Sequence, residues 1–235
     1  MIGALNDPWL VDYDGSCKNG CLKKTVTASV DDMTAAIVLA GGKSRRLGKN
    51  KLLESVGGRS LLQRVIDSLV PVSRHIFIVT AQGQGCPEID VTETKVECIH
   101  DIYPEKGALG GIYTGLLASD SQRSLVAAAD MPFLNPALLH HLLSVSRRFD
   151  IVMPRVRGDI EPLHAVYSRD CLPLIHTQLE RNQLQIRVLL DKVRVRYVEE
   201  AEIERFDPSR LSFFNVNTPN DLEEARRIAA EVGRD

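Results

Sequence analysis

The sequence predicts a single α/β domain whose mostly parallel sheet lies between two layers of helices. Three observations lead there. Short apolar runs alternate with amphipathic stretches of roughly 10–13 residues, the pattern left by strand–helix–strand crossovers. The first apolar run, residues 35–39, opens directly into the glycine-rich stretch Leu39-Ala-Gly-Gly-Lys-Ser-Arg-Arg-Leu-Gly-Lys-Asn-Lys51. A strand that opens this way can lay backbone N–H groups and cations around a polyphosphate, and glycine tolerates the backbone shapes such loops adopt. Finally, 235 residues, 44% apolar and 26% charged, suffice for one domain with a sizeable core.

Each later element carries its own signal. Residues 60–70 place Leu61, Leu62, Val65, Ile66 and Leu69 on one helical face, and Pro71 ends that helix. Residues 75–79 form an apolar strand, residues 81–88 a loop rich in Gln, Gly and Pro, and residues 96–100 a third strand. Residues 107–118 read as a helix entered through Gly110 and Gly111, and 124–129 as a strand. A helix over 135–147 has Asn135 as N-cap and Pro136 in the first helical position. Strands over 151–153 and 161–167 precede a helix over 170–180. Charged and apolar residues alternate over 192–198, as in a half-exposed strand. The last helix starts with Thr218 as N-cap, then Pro219 and, in its first turn, Asp221; Ala225, Ile228, Ala229 and Val232 form its apolar face. Residues 1–32 show no sustained period. They are an N-terminal extension ahead of a domain over 33–235: either Trp9 and Leu10 anchor it, or Met33 is the natural start.

Charge and composition narrow the chemistry. A net charge of −2 excludes broad electrostatic binding of nucleic acid, whereas the local basic charge of the first loop suits one small anionic ligand. No apolar stretch approaches the roughly 20 residues of a membrane span, and no secretory signal is apparent. The five cysteines are odd in number and scattered, which points to a reducing compartment, so the protein is expected to be cytoplasmic; Cys17 and Cys21 lack the further ligands of a zinc site.

The first loop is neither of the two common phosphate loops. Gly42 and Gly48 are one residue too far apart for a Walker A loop, and Asn50 follows Lys49 where Ser or Thr should stand. Gly41 and Gly42 are adjacent, so the dinucleotide pattern is absent too. In a parallel sheet ligands sit beyond the carboxyl ends of the strands, hence just after Leu39, Val79, His100 and Ala129. Asp101 and Asp130 fall there. Mg²⁺ on a nucleotide is held by one or two carboxylates plus phosphate oxygens, and these two aspartates fit that need. The glycines at 107, 110 and 111 would let backbone approach a base or sugar. His164 is either an acid–base group or a buried structural histidine. The asparagines of Asn215-Val-Asn217 either close a strand and cap a helix or turn both amides to one side, toward a polar ligand.

Taken together these segments resemble the molybdenum cofactor guanylyltransferases. The family pattern Leu-Ala-Gly-Gly-x-Ser-x-Arg-Met-Gly-x-Asp-Lys matches residues 39–51, with Leu47 for Met and Asn50 for Asp. Asp-x-x-Pro-x-x-Gly-Pro-Leu-Gly-Gly matches residues 101–111 with Ala108 for the second Pro. Asp-Met-Pro matches 130–132, and Asn-x-Asn-Thr-Pro-x-Asp-Leu matches 215–222. The four motifs span residues 35 to 232 in the family's order and leave 1–32 uncovered.

The resemblance implies a three-layer α/β/α domain with a Rossmann-like sheet of the nucleotide-diphospho-sugar transferase type. It implies transfer of GMP from GTP to the terminal phosphate of molybdopterin or molybdenum cofactor, with Mg²⁺ and release of pyrophosphate. It assigns the nucleotide to Leu39, Ala40, Gly41, Gly42, Lys51, Asp101 and Asp130. Lys51, Arg46 and Asp130 become catalytic, Asp130 the metal ligand, and Arg187, Asn215 and Asn217 the acceptor-binding residues. It makes molybdoenzyme maturation proteins candidate partners. Three other readings stay open: a cytidylyltransferase on the same or another phosphorylated acceptor, another guanylyltransferase, and a non-catalytic GTP-binding maturation adaptor. Gly41 and the glycines of 107–111 favour guanine over cytosine.

Overall fold

A computed structural model describes residues 34–41 and 51–232. Strand β1 (Ala35–Leu39) leads to the undescribed part of the first loop, and the chain resumes in a 3₁₀ turn, Lys51–Leu53. A small hairpin follows, β2 (Ser55–Val56) and β3 (Arg59–Ser60). Its turn residues Gly57 and Gly58 have φ of 60° and 79°, as a two-residue type I′ hairpin turn requires. Ser60 then caps α1 (Leu61–Leu69) by accepting from the Gln63 N–H. Next come β4 (His75–Thr80), β5 (Lys95–His100), α2 (Gly107–Ala118), β6 (Arg123–Ala128) and α3 (Pro136–Ser144). Asn135 Oδ1 caps α3 by accepting from the N–H of Ala137 and Leu138, as expected. The chain continues through β7 (Ile151–Val156), β8 (Asp159–Ile160), β9 (His164–Ser168), α4 (Leu172–Glu180), α5 (Ile186–Leu190), β10 (Val195–Val198), α6 (Glu200–Ile203) and α7 (Pro219–Val232). None of the described helices is long and apolar enough to cross a membrane.

The main sheet runs β10-β7-β9-β6-β1-β4-β5, with β8 hydrogen-bonded to β7. β4, β1, β6 and β5 pair in parallel, as do β7 and β10. Short β8 is antiparallel to β7, and along the main path β9 is antiparallel to both β6 and β7. The direction of β9 follows from chain length: residues 157–163 are too few for a parallel crossover from β7, which needs about a dozen or more. The strand expected over 161–167 therefore begins only at His164, because 161–163 form the turn that delivers it.

Alternation along β1 divides the core. Ala36 and Val38 face α1 and α3, packing with residues such as Val65, Ile66 and Leu138. Ile37 faces α2, α4 and α5, with Leu109, Ile112, Ile175 and Leu189. These two clusters make the three layers. A third, smaller cluster joins Val56, Leu61, Val216, Leu222 and Ala225.

The glycines of α2 serve packing. The helix starts at Gly107, so Gly110 and Gly111 lie inside it rather than at its entrance. A Cβ on Gly111 would stand 3.0 Å from Leu39 Cδ2, and one on Gly115 would stand 2.3 Å from Ile37 Cγ2. The absent side chains let α2 lie close on β1. Gly115→Ala is expected to destabilise the protein by about 1–3 kcal/mol, because overpacking outweighs the roughly 1 kcal/mol gain in helix propensity. Thermal unfolding followed by circular dichroism measures this, and an unchanged or raised midpoint would contradict it.

Candidate active site

Four neighbouring strands, β6, β1, β4 and β5, deliver their loops to one edge. Ala40 N–H donates to Val79 O (2.9 Å), Ala129 N–H to Leu39 O (3.1 Å) and Asp101 N–H to Thr80 O (2.8 Å). A Cβ on Gly41 would lie 3.1 Å from Ala81 N, so glycine there lets the first loop leave close against its neighbour. Leu39 and Ala40 thus stand at the carboxyl edge, as expected. Gly42, Arg46 and Asn50 lie outside the described residues.

Lys51 is the centre of what is described. Its ammonium lies 2.8 Å from Asp130 Oδ2, and the two side chains are 8% and 23% exposed. Asn217 Oδ1 is 3.5 Å from the same nitrogen. Asp130 follows β6 in a turn whose carbonyl accepts from Val216 N–H (3.0 Å), which ties the Asn-x-Asn segment to it. Residues 211–217 are a 3₁₀ turn and irregular chain, not a strand exit. Val216 is buried in the third cluster and fixes where both asparagines sit. They act differently. Asn217 reaches Lys51, whereas Asn215 Nδ2 donates back to Phe213 O at 3.2 Å.

Asp221 completes the anionic surroundings of Lys51. Its Oδ2 accepts from the N–H of Asn217 (2.9 Å) and Thr218 (2.7 Å), while its own N–H donates to Thr218 Oγ1. Those backbone donors hold its carboxyl below the usual range, and the nearby Lys51 charge adds to the effect. The sequence pattern marks Asp221 as a capping residue; its proximity to Lys51, across 170 positions of chain, carries no local signal.

Other expected residues have local partners. Asp101 Oδ1 accepts from Tyr103 N–H (2.9 Å) and Thr114 Oγ1 (3.0 Å), bracing the turn into α2. Arg187, on α5, is exposed, with its guanidinium 3.8 Å from Asp159 Oδ1. His164 is fully buried, with Nδ1 3.3 Å from Ser212 O and its ring against Phe213. Burial pushes its pKa down to about 4, so it is a neutral structural histidine at neutral pH.

One cation has no counterpart in the sequence reading. Arg64, on α1, donates through Nε to Pro132 O (3.1 Å) and through Nη1 to Val56 O (3.3 Å). Its guanidinium carbon lies 5.1 Å from the centre of the Phe133 ring.

Among the described residues no three or more His, Cys, Asp or Glu side chains gather as a metal cage. Asp130 presents one partly exposed carboxylate at this edge, and a nucleotide-bound ion such as Mg²⁺ uses one or two.

The MobA-like NTP transferase domain family matches residues 36–197. The molybdenum cofactor guanylyltransferase of Desulfosudis oleivorans is 34% identical over 205 residues, covering 86% of this chain and 98% of that protein. The chain belongs to the molybdenum cofactor guanylyltransferase family. A probable molybdenum cofactor guanylyltransferase of Pelotomaculum thermopropionicum is likewise 34% identical over 193 residues, covering 82% of this chain and 92% of that one. Among solved structures, the molybdopterin-guanine dinucleotide biosynthesis protein A of Archaeoglobus fulgidus superposes with a TM-score of 0.69 at 27% identity, over 85% of this chain and all of that one. A cytidylyltransferase from Thermus thermophilus, at 19% identity and a TM-score of 0.61, shares the fold. As a member of the guanylyltransferase family the chain is a nucleotidyltransferase that works on a nucleoside triphosphate. The layered, mixed sheet found here is that of the family's nucleotide-diphospho-sugar transferase relatives.

Proposed function

We propose that Lys51, Arg46 and Asp130 carry the guanylyl transfer of this family. GTP supplies GMP to the terminal phosphate of molybdopterin or molybdenum cofactor, giving molybdopterin guanine dinucleotide. An oxygen of the acceptor phosphate attacks the α-phosphorus of GTP. The new P–O bond forms as the bond to the bridging oxygen breaks, and pyrophosphate leaves with the electron pair. The acceptor phosphate is already ionised, so no strong base is needed; alignment and charge neutralisation do the work.

The carrying observation is the nearly buried Lys51 ammonium, held 2.8 Å from Asp130 at the carboxyl edge of the sheet. A shielded cation there stabilises charge more strongly than one in open water. Lys51 binds the phosphates. Arg46, on the same basic loop, adds charge beside them. Asp130, with Asn217 Oδ1 near the same ammonium, offers oxygens for Mg²⁺. When bound, Mg²⁺ polarises the phosphate oxygens and offsets their negative charge. Leu39, Ala40, Gly41 and Asp101 line the nucleotide side, to which the family motif also assigns Gly42. Arg187, Asn215 and Asn217 take the acceptor, Asn217 from beside Lys51.

The test is pyrophosphate release from each nucleoside triphosphate with Mg²⁺ and molybdopterin. Release with GTP is expected. Turnover with CTP but not GTP would overturn the nucleotide assignment, and GTP binding without release would favour an adaptor.

A further inference from the structure

Lys51 and Asp130 stand 79 residues apart in the chain. Their ion pair, at 2.8 Å, sets their spacing. On the proposed mechanism Lys51 would turn to phosphate and Asp130 to the metal, and that pair would be given up. Something else must then hold the two segments in register. Arg64 is placed to do it. Its Nη1 bonds Val56 O, five residues beyond Lys51, and its Nε bonds Pro132 O, two residues beyond Asp130. The guanidinium also lies over the ring of Phe133, the residue after Pro132.

The hairpin is shaped to admit this contact. A Cβ on Gly57 would sit 3.3 Å from Arg64 Nη1 and 3.2 Å from Ala229 Cβ. The turn thus leaves no side chain between the arginine, the hairpin and α7. On the far side, Arg226 of α7 donates to Ser55 O (3.1 Å) and reaches Glu54 (3.3 Å). The hairpin that follows Lys51 is therefore fixed from two sides, and Arg64 alone of these two arginines also holds the Asp130 turn. The guanidinium presents Nε and Nη1 to the two carbonyls from one rigid plane; a lysine has three donors but gathers them at one point on a flexible stem.

We propose that Arg64 is a positioning residue that bridges the Lys51 segment to the Asp130 turn, keeping both charges aligned after substrate replaces their mutual ion pair. The inference rests on the reading of Lys51 and Asp130 as catalytic. Arg64 touches no reacting atom; it acts through the backbone of Val56 and Pro132.

Steady-state pyrophosphate release by Arg64→Met and Arg64→Lys tests it, with molybdopterin saturating and the temperature well below every melting midpoint. Misplacement of catalytic groups by an ångström costs on the order of 100-fold. Arg64→Met is expected to lower kcat at least about 10-fold, with KM for GTP within about 3-fold of wild type. The Mg²⁺ concentration for half-maximal rate rises at the same time. Arg64→Lys lies between Met and wild type. Leu179→Ala, in the helical layer on the opposite face, loses stability but keeps kcat. Wild-type kcat in Arg64→Met, or an equal kcat loss in Leu179→Ala, overturns the inference. If Arg64→Met does not fold, Arg64→Lys decides: an intermediate kcat with unchanged KM supports the bridge, and wild-type kcat refutes it. Lys51→Ala, run in parallel, separates the two levels. Full activity there defeats the reading of the site; an inactive Lys51→Ala beside a fully active Arg64→Met defeats the bridge alone.

Discussion

Lys51→Ala is expected to lower the rate of pyrophosphate release from GTP at least about 100-fold, the scale of removing one preorganised charge contact. The reason lies in its surroundings. The ammonium is almost wholly shielded, with Asp130 at 2.8 Å, Asn217 at 3.5 Å and Asp221 close by. Held there, it need not reorganise when negative charge builds on the transferring phosphate. The loss should appear in kcat, since charge on the phosphates grows toward the transition state. Stability should change little, because Asp130 is left with 23% of its side chain already in contact with solvent. Near-wild-type turnover by a folded Lys51→Ala protein would remove the lysine from the mechanism.

Asp130→Asn should also cost at least about 100-fold in turnover, for a different reason. The amide keeps the shape of the turn but no longer offers an anion to Mg²⁺, so added metal should rescue the rate only in part. This variant also has a structural cost that Lys51→Ala lacks. It leaves an 8%-exposed ammonium without its closest counter-charge. An uncompensated, largely buried charge costs more than a lost hydrogen bond, here about 1–3 kcal/mol because Asn217 and Asp221 remain nearby. Urea unfolding should therefore rank Asp130→Asn below Lys51→Ala in stability. The reverse order would show that the pair is not the shielded one described. Wild-type turnover with unaltered Mg²⁺ dependence would remove Asp130 as the metal ligand.

What was legible in the sequence was mostly what is local. The Asn135 cap and the Thr218–Asp221 capping box are encoded within four residues, and both are present. α1 follows from its helical apolar spacing, and β1 from an unbroken apolar run. The two-residue arms of β2, β3 and β8 are too short to show any period, although Gly57-Gly58 and Arg157-Gly158, all at positive φ, are hairpin turns in retrospect. The direction of β9 depends on how little chain precedes it. In the site, motif order brought Lys51, Asp130 and Asn217 to one place, which no residue shows alone. The same motifs assign Asp101 and Asn215 to ligands; their local bonds, to Tyr103, Thr114 and Phe213, carry no motif signal of their own. Arg64 gave no signal, because an arginine on the exposed side of an amphipathic pattern looks like any solvated one. Only the fold reveals that two carbonyls lie within its reach.

The contacts around Lys51 span 79 residues to Asp130 and 166 to Asn217. Val216, buried between the two asparagines, ties the last of them to the turn that holds the first carboxylate. A chain still emerging from synthesis, complete through the third cluster's Leu61 but lacking Val216 and α7, has Lys51 without most of its neighbours. Competence for transfer therefore waits for residues 216–221. Fragments and C-terminal truncations should accumulate as inert protein rather than as partial enzymes that consume GTP without an acceptor.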